Sequence, residues 1–211
     1  MRTRIGSILL TGGAAVLAIG LSVTSSFATT SKTWTVKPGG AITATSGNAT
    51  LTDTTTGTVL TCKSSRLSGA IKSGSGLSGA GIGSFTSGTG MHCTVPLGLT
   101  LTLTPRDLPW QLNFTSYDAS THVIHGTFSH VQFLLSGTDC TAVVDGTSGT
   151  ASDGVIPFAY TTGTGKLKLL SAGENLHFYD VSGCLGLVDN GDSATYSGTY
   201  TITPKQTITS P

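Results

Sequence analysis

Three histidines, His122, His125 and His130, fall within nine residues, and Asp118 stands four positions ahead of the first. Imidazole titrates near neutral pH and is the commonest nitrogen ligand for metals. Such a group therefore suits a metal site or general acid–base work. On an extended strand His122 and His130 share one face and His125 takes the other. Bringing all three together needs a bulge, and Gly126 is placed to provide one. With Asp118 these histidines form the candidate site of a secreted hydrolase. The plainer reading leaves them as packed or solvent-facing imidazoles, with no metal and no cofactor.

Other chemistry-bearing patterns are weaker. Gly74-Ser75-Gly76-Leu77-Ser78-Gly79 satisfies G-x-G-x-x-G, but a dinucleotide site also needs a strand before it, a helix after it and a later acidic residue. Ala80-Gly81-Ile82-Gly83 does not start a helix, and a glycine-rich segment matches by chance. Asp189-Asn190-Gly191-Asp192 could offer oxygens to calcium, yet it lacks the length and terminal Glu of a calcium loop. It reads better as a type I′ hairpin turn. Asp107, Asp118, Asp139, Asp145 and Asp153 mostly adjoin Gly, Ser or Thr, as turn formers do. No G-x-S-x-G elbow occurs. Trp34, Trp110, Tyr117, Tyr196 and Tyr200 would make a sugar-stacking platform if exposed. Alternation with polar neighbours favours burial of Trp110, Tyr196 and Tyr200, and leaves Trp34 undecided.

The elements that position these residues read as strands. Leu99 to Thr104 alternates Leu and Thr without a break, which sends three leucines to one face. Trp110, Leu112 and Phe114 repeat the pattern after a turn at Pro105–Pro109, as do Tyr196, Gly198, Tyr200 and Ile202. Further strands are expected at 33–37, 50–53, 59–63, 121–135, 141–144, 155–160, 166–170 and 175–181, with 121–135 breaking at Gly126. Ser68–Gly90 holds eight glycines in 23 residues. Its spaced Ile71, Leu77, Ile82 and Phe85 separate it from a flexible linker. It reads as irregular strand or loop, or else as a mobile binding loop. Glu occurs once, at Glu174. The fold expected is all-β: an antiparallel sandwich or a barrel-like domain.

Met1–Ala28 reads as a signal peptide. Arg2 and Arg4 precede an apolar run, and Ser26-Phe27-Ala28 places small residues where the peptidase inspects them, so cleavage is expected after Ala28. Residues 29–211 then form the exported domain of 183 residues, long enough for a sizeable core. Leu97-Gly98-Leu99 after Cys93 echoes Leu185-Gly186-Leu187 after Cys184, a weak two-half pattern about residue 105. Of the 11 Lys and Arg, Arg2 and Arg4 leave with the peptide, so nine face ten acids. Scattered bases at a net charge near zero exclude a nucleic-acid partner. No later apolar run reaches the ~20 residues of a membrane helix, and the polar tail Lys205–Pro211 suggests release.

An even count of four cysteines in an exported chain, Cys62, Cys93, Cys140 and Cys184, points to two disulfides. Three pairings are possible. Cys62–Cys93 with Cys140–Cys184 is preferred, because it staples each half separately. There is no C-x-x-C pair to favour metal.

The stretch from Leu51-Thr52-Asp53-Thr54-Thr55-Thr56-Gly57 to Cys62, the run Gly74 to Gly83, Leu108-Pro109-Trp110, Val181-Ser182-Gly183-Cys184-Leu185-Gly186-Leu187 and Tyr200-Thr201-Ile202-Thr203-Pro204 together resemble small secreted proteins of actinobacteria whose function is uncharacterised. That resemblance implies a bacterial, exported, β-rich protein and carries no site residues. The function expected is non-enzymatic binding of a small ligand or a cell-envelope component such as a glycan. The alternatives are the hydrolase around Asp118–His130 and a pore-forming or outer-layer barrel with its leucines facing lipid.

Overall fold

The computed structural model describes residues 32–211; the expected signal peptide and its cleavage point lie outside them. Fifteen strands follow one another: β1 (Thr33–Lys37), β2 (Gly40–Asp53), β3 (Val59–Ile71), β4 (Gly74–Ser78), β5 (Gly83–Gly88), β6 (Met91–Thr94), β7 (Thr100–Arg106), β8 (Trp110–Asp118), β9 (Val123–Gly137), β10 (Cys140–Asp145), β11 (Gly154–Thr161), β12 (Lys166–Leu169), β13 (Leu176–Gly183), β14 (Ser193–Thr203) and β15 (Thr207–Thr209). The fold is all-β, antiparallel and sandwich-like, as the alternation of Thr with apolar residues predicts.

Four long strands organise it. β9 pairs through residues 123–131 with β8 and β11, and through residues 132–137 with β7 and β10. β14, β2 and β3 lie side by side opposite it in the pairing order. From β9 the ladder passes through β11, β12, β14, β2, β3, β5 and β8 and returns to β9. A second circuit runs through β10, β13, β14, β2, β3, β6 and β7. Closure pairs the strand edges that an open sheet would leave to solvent. A separate three-stranded sheet, β15-β1-β4, ties the C-terminal strand to the first one.

The apolar faces point inward. Leu101 and Leu103 of β7 are buried, as are Phe128, Phe133, Phe158 and Phe178. Fully burying such a side chain contributes about 1.5–3 kcal/mol. Trp110 meets Phe133 edge-on at 4.9 Å, and Phe128 lies 4.8 Å from Phe158. Trp34, left open by its sequence context, is buried 5.0 Å from Phe114. Leu99 departs from the expected leucine face: it follows the 3-10 turn Pro96–Gly98 and is exposed. Both disulfides take the preferred pairing. Cys62–Cys93 bridges directly opposed residues of β3 and β6, and Cys140–Cys184 ties β10 to the 3-10 turn after β13.

Three local expectations are corrected. Ser68–Gly90 is strand and not loop for most of its length, in β3, β4 and β5, with a register shift between Ser68 and Gly69 that keeps the irregular-strand half of the expectation. Its glycines permit close strands: a Cβ on Gly69 would stand 1.9 Å from the Ser84 carbonyl. Gly126 does not break β9, because its missing side chain makes room for the Phe158 ring. Asn190-Gly191 is not a type I′ turn, which needs positive φ at both central residues. Only Gly191 of that pair has it, at φ 87°, and the Asp192 amide donates to the Asp189 carbonyl. The Asn190 side chain instead accepts from the Val181 amide.

Candidate functional site

The β8–β9 hairpin holds the histidine set. Asp118 ends β8, and its Oδ1 accepts from the Ser120 amide at 2.8 Å, the Ser120 hydroxyl at 2.6 Å and the Thr121 amide at 3.3 Å. Hydrogen bonds from Ser120 and Thr121 stabilise the carboxylate and pull it down to about 2. Its Oδ1 is thereby committed to its own turn. His122 sits in that turn at φ 57°, with Nδ1 3.2 Å from the Tyr117 hydroxyl. His125 lies on β9 between Ser116 of β8 and Ala159 of β11, and His130 stands further along at φ 62°. All three imidazoles are exposed. Among the described residues no three His, Cys, Asp or Glu side chains are grouped to hold a metal.

Ligand-sized space lies elsewhere. Two gaps of about 20 Å³ open in the core between apolar side chains, one bordered by Phe85, Phe114 and Phe158 and the other by Trp110, Tyr196 and Tyr200. Ligand pockets run to about 300–1,000 Å³, so neither gap admits more than a water-sized guest. Two surface clefts of about 250 and 300 Å³ flank the Thr138–Cys140 turn between β9 and β10. The first is lined by Leu99, Leu101, Asp139 and Leu185, the second by Thr138, Thr141, Ser182 and Gly183.

Leu185 dominates this end. It is 71% exposed, and with Val59 and Leu99 it makes up the large exposed apolar side chains among the described residues. Its backbone is unusual: Gly183, Cys184, Leu185 and Gly186 all have positive φ, at 73°, 63°, 51° and 72°. Non-glycine residues held there cost of order 1–3 kcal/mol each, and they persist only where the surroundings fix them. Three features do so. Cys184 is bonded to Cys140, its amide donates to the Asp139 carbonyl at 2.9 Å, and its carbonyl accepts from Leu187 at 2.9 Å. Gly183 has no alternative, since a Cβ would stand 2.0 Å from the Asp139 carbonyl. The chain thus presents a leucine to solvent from a covalently clamped loop. The sequence shows the ingredients in Gly183-Cys184-Leu185-Gly186, but leucine there reads as one more core residue.

A second group of polar residues lies inside. The Tyr196 and Tyr200 hydroxyls are 2.7 Å apart, and Tyr200 donates to Ser65 at 2.9 Å, which satisfies three buried groups together. Glu174 accepts from the Tyr196 amide at 2.7 Å. That amide lies between the stretches of β14 that pair with β13 and with β12. Burial pushes the Glu174 carboxyl up to about 7 from an ordinary 4.5, against the pull of that amide. Between those values the folded chain keeps a proton that the unfolded chain has released, so stability falls as pH rises through the window. After allowance for solvent screening the loss is about 2 kcal/mol. Urea unfolding at pH 4.5 and pH 8 should show Glu174→Gln matching the wild type at the lower pH and exceeding it by that amount at the higher. Equal curves at pH 8 would show that the Glu174 carboxyl is not raised by burial in the folded chain.

Compared with family models, curated proteins and solved structures, the chain finds no match.

Proposed function

We propose that this is an exported, non-enzymatic binding protein that attaches to a component of the cell envelope through the Leu185 end of the sandwich. One observation carries the reading. An exposed leucine is held on a left-handed backbone run by a disulfide, beside two clefts and a second exposed leucine. Holding an apolar side chain in solvent at a cost in backbone strain makes physical sense where a partner covers it. The two disulfides fit an oxidising, extracellular setting. The expected signal peptide, the sparse charge and the packed core agree with a protein that binds at its surface.

The test is a saturation isotherm of residues 29–211 on purified envelope and glycan fractions, for the wild type and Leu185→Asn. Asn adopts left-handed φ readily, so the loop keeps its shape while the apolar contact goes. Saturable wild-type binding is expected, weakened tenfold or more in the variant. This corresponds to about 1.5–3 kcal/mol for one buried leucine. No saturable binding across the panel, or equal binding by both proteins, would overturn the proposal.

A further inference from the structure

The junction between the β2–β3 turn and the loop before β14 contains a buried carboxyl that the binding site does not use. Asp53 is fully buried at the end of β2. Its Oδ1 accepts from the Thr55 and Thr56 amides at 2.8 and 2.9 Å, but its Oδ2 has no hydrogen-bond donor. The neighbouring side chain is another acid, Asp192. Asp192 uses its Oδ2 to accept from the Asp189 amide at 2.9 Å. The two segments are otherwise laced together. Thr54 donates its amide and hydroxyl to the Ser193 carbonyl, the Ser193 amide donates to the Thr55 hydroxyl, and the Thr56 hydroxyl donates to the Leu187 carbonyl.

Two carboxylates placed together repel, and a desolvated oxygen without a donor is costly. A single shared proton removes both penalties. We propose that Asp53 and Asp192 form a proton-operated latch: one proton between the two carboxyls holds the β2–β3 turn against the 187–193 loop, and its loss loosens both. Two further ionisable residues flank the junction, Asp189 on the same loop and His177 of β13, which pairs with Ser193. His177 directs Nδ1 at the Asn175 carbonyl. Burial and the charge of Asp192 both raise the proton affinity of Asp53. The folded chain therefore binds the proton more tightly than the unfolded one, so the latch holds at acidic pH and weakens as pH rises through the raised value.

Amide hydrogen exchange at Thr55, Thr56 and Asp189 tests this, at pH 4.5 and pH 7.5 with intrinsic rates corrected. The proteins compared are the wild type and Asp192→Asn. An Asn amide supplies the missing donor permanently. Wild-type protection at these three amides should fall severalfold between the two pH values, beyond any change in the β8–β9 ladder, while Asp192→Asn stays protected at both. Equal pH dependence in the two proteins, or none in the wild type, would overturn the latch. Restoration of wild-type protection at pH 7.5 by calcium alone would also overturn it, because the pair would then hold a cation in place of a proton.

Discussion

Replacing Cys140 and Cys184 together by alanine is expected to lower stability by about 4 kcal/mol and to abolish envelope binding. The first effect follows from the 44-residue separation of the pair, which in the chain-entropy model constrains the unfolded state by that amount. A domain is typically stable by only about 5–15 kcal/mol, so the loss is large. The second effect is local. Without the bond, Cys184 and Leu185 no longer need to remain left-handed, and Leu185 is no longer held beside Leu99. The matched control is Cys62→Ala with Cys93→Ala. Its loop of 31 residues predicts a similar loss of about 3.7 kcal/mol, yet that bridge ties β3 to β6 and does not clamp the Gly183–Gly186 run. Denaturant unfolding and binding isotherms separate the two roles: both variants lose stability, and only the first loses binding below its unfolding midpoint. If the Cys140/Cys184 variant, while still folded, bound like the wild type, the clamped loop would not be the contact.

Gly126→Ala is expected to cost about 3 kcal/mol, the upper end for overpacking a filled core. The new Cβ would stand 2.2 Å from the Asn113 carbonyl and 2.4 Å from Cζ of Phe158. Neither neighbour yields cheaply. The carbonyl belongs to β8, which pairs with β9 on both sides of this point, and Phe158 is packed on Phe128. For a chain of this size the midpoint of thermal unfolding should drop by about 6–12 °C. Gly47→Ala is the control, because a Cβ there meets nothing within 4 Å. A midpoint for Gly126→Ala within about 2 °C of the wild type would show that the β8–β9–β11 core can shift, contrary to the packing described.

The strand content was legible because Thr and apolar residues alternate with period two, and that period survives whatever the strands pair with. Leu101, Leu103, Trp110, Leu112, Tyr196 and Tyr200 all fall on the buried face this predicts. Pairing order was not legible. Nothing local in β9 announces that its two halves take different neighbours, since that depends on strands up to tens of residues away. The glycines misled for a related reason. Gly69 and Gly126 look like breakers in a single chain, but they are sites where another backbone or ring comes close. The His122, His125 and His130 cluster was legible only as letters. The hairpin turns them out to solvent, and Asp118 bonds its own turn. Leu185 was invisible as a site, because exposure of a leucine follows from the tertiary clamp and not from its neighbours in sequence.

The Leu185 end is proposed as the contact surface. Hydrogen-exchange footprinting with and without a saturating envelope fraction locates the contact. New protection is expected at residues 98–101, 137–141 and 182–187 alone. Protection centred on the β8–β9 hairpin between Asp118 and His130, with the Leu185 loop unchanged, would contradict it.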